Sequence, residues 1–123
     1  MTVQYVPPIQ SPDFARRAGN AINALLQRKR LIDTTTASLT IDGKEAERDI
    51  ILANATSGAI TITLPPADPY KGVAFTIKKT DATNNVTIDG DGSETINGAA
   101  TYVLTTQHEV VTVVSDGSGW HII

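Results

Sequence analysis

The 123-residue chain has no cysteine. Disulfide staples and thiolate metal sites are therefore excluded, which fits assembly in a reducing cytoplasm. Aromatic residues are scarce too, with Tyr5, Phe14, Tyr70, Phe75, Tyr102 and Trp120 the full set. A core with so few large side chains has limited burial to set against the entropy of ordering, so a lone copy should be modestly stable and self-association attractive. No apolar run reaches the roughly 18 residues of a membrane span, and "MTVQYVPPIQ" lacks the charged start and apolar stretch of a signal peptide. The expectation is a soluble, unsecreted product.

Motifs of catalysis are missing as well. The chain has no G-x-S-x-G, no glycine-rich phosphate loop and no H-E-x-x-H, so no catalytic residue is assigned and a non-enzyme is expected. Net positive charge is missing from the greater part of the chain: residues 1–30 carry a net +4, and the remainder a net −7. An acidic body of that kind is a poor partner for nucleic acid, which needs a basic face.

What is present divides in two, with an attachment arm and helix expected over residues 1–36 and a β-rich body over 37–123. In the arm, Val3, Tyr5 and Ile9 flank Pro7 and Pro8, whose fixed φ holds an extended course. "SPDF" then supplies Ser11 as a helix cap, Pro12 at the first helical position and Asp13 at the positive end of the dipole. Phe14, Ala18, Ala21 and Leu25, with Leu26 beside them, make an apolar stripe at helical spacing. An isolated helix of this length is marginal in water. The stripe must pack on this chain's own sheet or on further copies of the chain.

From residue 37 the texture is that of strands. Threonine occurs 17 times in the chain, and β-branched residues alternate in "SLTI", "AITITL", "VAFTIKK" and "NVTID" as half-buried strands require. "RDIILAN" and "HEVVTVV" are more continuously apolar, which predicts central strands covered on both sides. Turn-forming clusters at about ten-residue spacing separate eight or nine strands, the pattern of an all-β sandwich or jelly-roll-like body. In the last strand Trp120 and Ile122 face one way, His121 and Ile123 the other. Both sides carry an apolar residue, so the strand either seals its own sheets or turns one side to a neighbouring subunit.

Residues 59–123 resemble a module of tailed-bacteriophage structural proteins, found in head fibres, capsid decoration proteins and tail fibre or tailspike segments. The features that carry the resemblance are "TLPPA", "FTIKKTDA", "ETINGAATYVL" and "VTVVSDGSGWHII". Such proteins are commonly homotrimers, and the resemblance implies a virion component assembled in the host cytoplasm. Its partners would be further copies of itself and a major capsid or other virion protein, without nucleic acid, membrane or cofactor. It implies a capsid decoration (cement) or short head fibre protein, anchored by Val3, Tyr5 and Ile9, with Tyr102, Trp120 and Ile122 in the body or at the subunit interface. The alternative is a tail-borne module recognising host glycan through loop residues such as Tyr70 and His108.

Two patterns invite chemistry and are read as structure. "DGDGSE" is rich in oxygen, but Glu94 stands where a calcium loop of the EF-hand kind needs glycine and Ala100 where it needs glutamate, so a turn is expected and no metal. Glu45, Glu47 and Asp49 alternate like a carboxylate pair of a glycosidase, yet a charged sheet edge accounts for them.

Overall fold

The computed structural model describes residues 31–42 and 49–123. They form nine strands: β1 (Ile32–Thr35), β2 (Leu39–Thr40), β3 (Ile50–Ala53), β4 (Ile60–Thr63), β5 (Ala74–Lys79), β6 (Val86–Asp89), β7 (Thr101–Leu104), β8 (Val110–Ser115) and β9 (Trp120–Ile122). The body is all-β. The expected arm and helix, including Val3, Tyr5, Ile9, Phe14, Ala18, Ala21, Leu25 and Leu26, lie outside the described residues. Residues Ile32–Thr35 are a strand, so sheet structure begins ahead of the boundary expected at residue 37.

The strands fall into a five-stranded sheet, β1-β3-β5-β8-β9, and a four-stranded sheet, β2-β4-β6-β7. From β1 to β6 the chain alternates between the two, and each strand pairs in parallel with the one laid down a coil earlier. Parallel neighbours need a crossover of a dozen residues or more. Here the crossover is a strand of the opposite sheet. A jelly roll, with its antiparallel connections throughout, is therefore not what the chain builds. Only the last third reverses direction: β7 runs antiparallel to β6, β8 to β5, and β9 to β8.

Alternation decides what lies between the sheets. Ile51, Ala53, Phe75, Ile77, Val111, Val113 and Trp120 from the larger sheet share one core with Ile60, Ile62, Val86, Ile88 and Leu104 from the smaller. In the alternating segments "AITITL", "VAFTIKK" and "NVTID", Ile60, Ile62 and Leu64, Phe75 and Ile77, and Val86 and Ile88 all point inward. Phe75 and Trp120 stack at a tilt with ring centroids 5.8 Å apart, and Tyr70 leans on Phe75 from the rim at 6.5 Å.

Both ends of this core are closed by polar groups. At one end Lys79 continues the inward face of β5 and is fully buried. Its ammonium lies 3.2 Å from the Asp81 carboxylate and also donates to the Asp81 carbonyl. Asp81 in turn accepts from Ala55 N at 2.8 Å and Thr83 N at 2.8 Å, with Asn84 N at 3.3 Å. Asn84 returns a bond to the Ala55 carbonyl at 2.8 Å. A corner of the third coil is thus bolted onto the corner of the second. At the other end the Ser115 hydroxyl donates to the Ala67 carbonyl at 2.6 Å, and the Glu94 carboxylate accepts from Ala67 N at 2.9 Å. Gly90 is required beside it, because a side chain there would collide with the Glu94 carbonyl.

Removing a large core ring leaves a cavity, at a cost of about 3–5 kcal/mol. Trp120→Ala should lose that much stability in urea unfolding. The buried indole Nε1 has no hydrogen-bond partner among the described residues, so Trp120→Phe, which keeps an aromatic ring and removes that donor, should lose much less.

Candidate interaction surface

The C-terminal strand shows how this body is sealed. β8 and β9 are joined by a turn in which Gly117 has φ +94°, a conformation that favours glycine. Asp116 organises the turn by accepting from Ser118 N at 2.7 Å and Gly119 N at 2.8 Å, and its second oxygen meets His121 Nε2 at 2.6 Å. These hydrogen bonds, led by the one from Ser118, hold the Asp116 carboxyl down at about 2. On its far side β9 is clasped by the loop between β6 and β7: Trp120 N donates to Thr95 O at 2.8 Å, Asn97 N to Trp120 O at 2.9 Å, and Ile122 N to Asn97 Oδ1 at 2.9 Å. The strand is held from both sides by its own chain.

The anticipated interface residues separate accordingly. Trp120 is 1% exposed in the core, and Ile122 packs against that core from its margin. Tyr102 stands on β7 at the edge of the smaller sheet, beside exposed Val103. Tyr70 is half-buried against Phe75, which removes most of its ring from any glycan. His108 is exposed in the turn before β8, with φ 69°. Glu45 and Glu47 lie outside the described residues, and Asp49 accepts from Leu31 N at 3.2 Å. No cluster of three or more metal-ligating side chains occurs among the described residues. In "DGDGSE" the Glu94 carboxylate is engaged by Ala67 N, and Asp91 O accepts from Glu94 N in a turn.

The two outward faces of the body differ in chemistry. On the smaller sheet the outward positions are Thr40, Thr61, Thr63, Thr87, Asp89, Thr101 and Val103, a surface of hydroxyls beside water. On the larger sheet they are Ile32, Ile50, Leu52, Ala74, Val110, Val114 and Ile123, with Thr34, Thr76, Thr112, Lys78 and His121. Ile32, Val110 and Ile123 are 62%, 52% and 74% exposed. This second face escaped the sequence reading as a site. Its signal was there, in the continuous runs "RDIILAN" and "HEVVTVV". They do form β3 and β8, inner strands of their sheet, yet only their inward side is buried, so the expected second cover is not supplied by the described residues.

Comparison with known families finds no matching family model, and comparison with curated proteins finds no match.

Acid should loosen the body in a defined window. Asp81 feels burial, which raises its pKa, but the bonds from Ala55, Thr83, Lys79 and Asn84 together outweigh it and hold the carboxyl well below the usual range. Groups depressed from about 3.9 stabilise the fold fully above that pH and lose their effect as pH falls through the folded value. For Asp116, whose folded value is about 2, the stability gap between the wild type and Asp116→Asn should be widest above about pH 4 and close towards pH 2. Urea midpoints measured across that range check it.

Proposed function

We propose that the chain is a non-enzymatic structural protein of a bacteriophage virion, a homotrimeric decoration or short head fibre protein fixed to the capsid by its N-terminal arm. One observation carries the proposal: the four phage-like segments are the joints of a single locked body. "TLPPA" provides Ala67, which both Ser115 and Glu94 grip. "FTIKKTDA" provides the buried Lys79–Asp81 pair. "ETINGAATYVL" provides the clasp at Thr95 and Asn97, and "VTVVSDGSGWHII" the hairpin that it holds. A resemblance confined to surface loops would say little about use. One that falls on the joints supports a module made to be rigid and reused.

In this role the described body is a compact sandwich raised above the shell, while Val3, Tyr5 and Ile9 lie along, or add as a strand to, a capsid subunit. A protein that binds only the assembled shell stabilises it by mass action, with no chemistry required. The basic charge of residues 1–30 suits an acidic capsid surface.

Deletion of residues 1–11 should leave the circular dichroism of the body unchanged and abolish cosedimentation with capsids. Full-length protein should raise the temperature at which decorated shells come apart. Unchanged incorporation of the truncated chain would defeat the proposed anchor, and binding to host cells in place of capsids would move the protein to the tail.

A further inference from the structure

One dipeptide in the clasp on β9 carries chemistry of its own. Asn97 and Gly98 form the two-residue turn between Ile96 and Ala99, whose backbones exchange hydrogen bonds at 2.7 and 3.0 Å. Both turn residues have positive φ, 50° and 83°, the hairpin geometry that Asn-Gly favours. Both are exposed, and the space where a side chain on Gly98 would stand is open. Gly98 N makes no hydrogen bond among the described residues. Of the chain's six asparagines, Asn97 alone precedes glycine, while the others precede alanine, asparagine or valine. An asparagine in front of glycine is the one most open to attack on its side-chain carbon by the next backbone nitrogen, because glycine has no Cβ to stand in the way.

We infer that Asn97 is a site of spontaneous deamidation, gated by the C-terminal strand, and that its isoaspartyl product loosens that strand. In the reaction Gly98 N gives its proton to water and bonds to Asn97 Cγ, the Cγ–Nδ2 bond breaks, and the nitrogen leaves as ammonia with a proton taken from water. The cyclic imide so formed is opened by one water molecule. Addition at Cγ gives aspartate. Addition at the main-chain carbonyl gives isoaspartate, in which the chain runs through Cβ and Cγ and is one carbon longer. Nothing is oxidised or reduced, and water is the only co-reactant.

The gate is the bond from Ile122 N to Asn97 Oδ1, 2.9 Å long. While it is made, the carboxamide is pinned to β9 and its Cγ is not free to swing onto Gly98 N. β9 is three residues long and lies at the edge of its sheet, and short edge elements open locally more readily than a core does. The two products differ in effect. Aspartate keeps an acceptor oxygen for Ile122 N, so the clasp stays. Isoaspartate carries that oxygen into the main chain, and the extra carbon breaks the fit of a two-residue turn between Ile96 and Ala99. β9 then keeps its ladder to β8 but loses part of the hold on its far side. Trp120, the largest of the fully buried side chains, rides on this strand, so the loosening reaches the core.

The test is ageing of the full-length chain in mildly alkaline buffer, followed by peptide mapping by mass. Conversion of an amide to an acid raises the mass, which separates it from isomerisation at Asp89-Gly90, Asp91-Gly92 and Asp116-Gly117, where the mass is unchanged. The mass gain should appear at Asn97 before Asn54, Asn84 or Asn85. Ile122→Pro removes the donor from an edge strand, and because that N–H points to Asn97 and not to β8, the ladder is spared. Deamidation should then run about five- to tenfold faster, as expected for the loss of one hydrogen bond, while Ile122→Val should leave the rate as it was. The isoaspartyl form, separated by chromatography, should show faster hydrogen exchange on β9 than fresh protein, and Asn97→Asp should not. A first mass gain at another asparagine, an unchanged rate in Ile122→Pro, or equal β9 exchange in the isoaspartyl form and fresh protein overturns the inference. If Ile122→Pro loses its circular dichroism, the isoaspartyl form of the wild type decides alone.

Discussion

The body depends on a charge pair placed where charges are costly. Lys79 points into the core at the end of β5, and a buried ammonium without a partner would not be tolerated there. Asp81, two residues on, supplies the partner and then spends its remaining lone pairs on the backbone of two different coils. The pair is weak evidence for stability in itself, since well-packed apolar side chains can do as well. Its physical content is geometric. Its bonds join the corner at Ala55 to the corner at Asp81, so the pair ties the third coil to the second.

From that register the rest follows. Once the corners are stacked, strands two apart in sequence become parallel neighbours, and their alternating side chains fall either between the sheets or outside them. The inner faces close around Phe75 and Trp120. The C-terminal hairpin can then be gripped by the Thr95–Asn97 loop, because that loop is itself placed by Glu94 holding Ala67. Polar locks at the two ends and aromatic packing between them divide the work of holding two small sheets together.

Much of this was legible in the residues. Alternation located β4, β5 and β6, and clusters of turn-forming residues marked the breaks between strands, because a period of two and a run of turn residues are local signals. Parallel winding was not legible. Coils join Ile32 to Ile50, Leu39 to Ile62 and Ile60 to Val86, at unequal spacings that leave no fixed repeat to detect, and half-buried strands look alike whichever way their neighbours run. β1 was missed because "IDTT" adjoins a helical pattern and carries a single large apolar residue. The buried Lys79–Asp81 pair was not legible, since nothing in "KKTD" distinguishes the buried lysine from Lys78 beside it. Trp120 raised the question of what holds the last strand, and the answer on its inward side is the chain's own core.

The winding has a kinetic consequence. Each parallel ladder closes only after an intervening strand has been laid on the other sheet, so most stabilising contacts are distant in sequence, and folds of that kind form slowly, on the scale of milliseconds to seconds. The hairpin of β8 and β9 is an exception, built from neighbours in the chain. A folding body of this design spends its early life with half-finished sheets showing unpaired margins, and crowding among newly made copies is then its chief hazard.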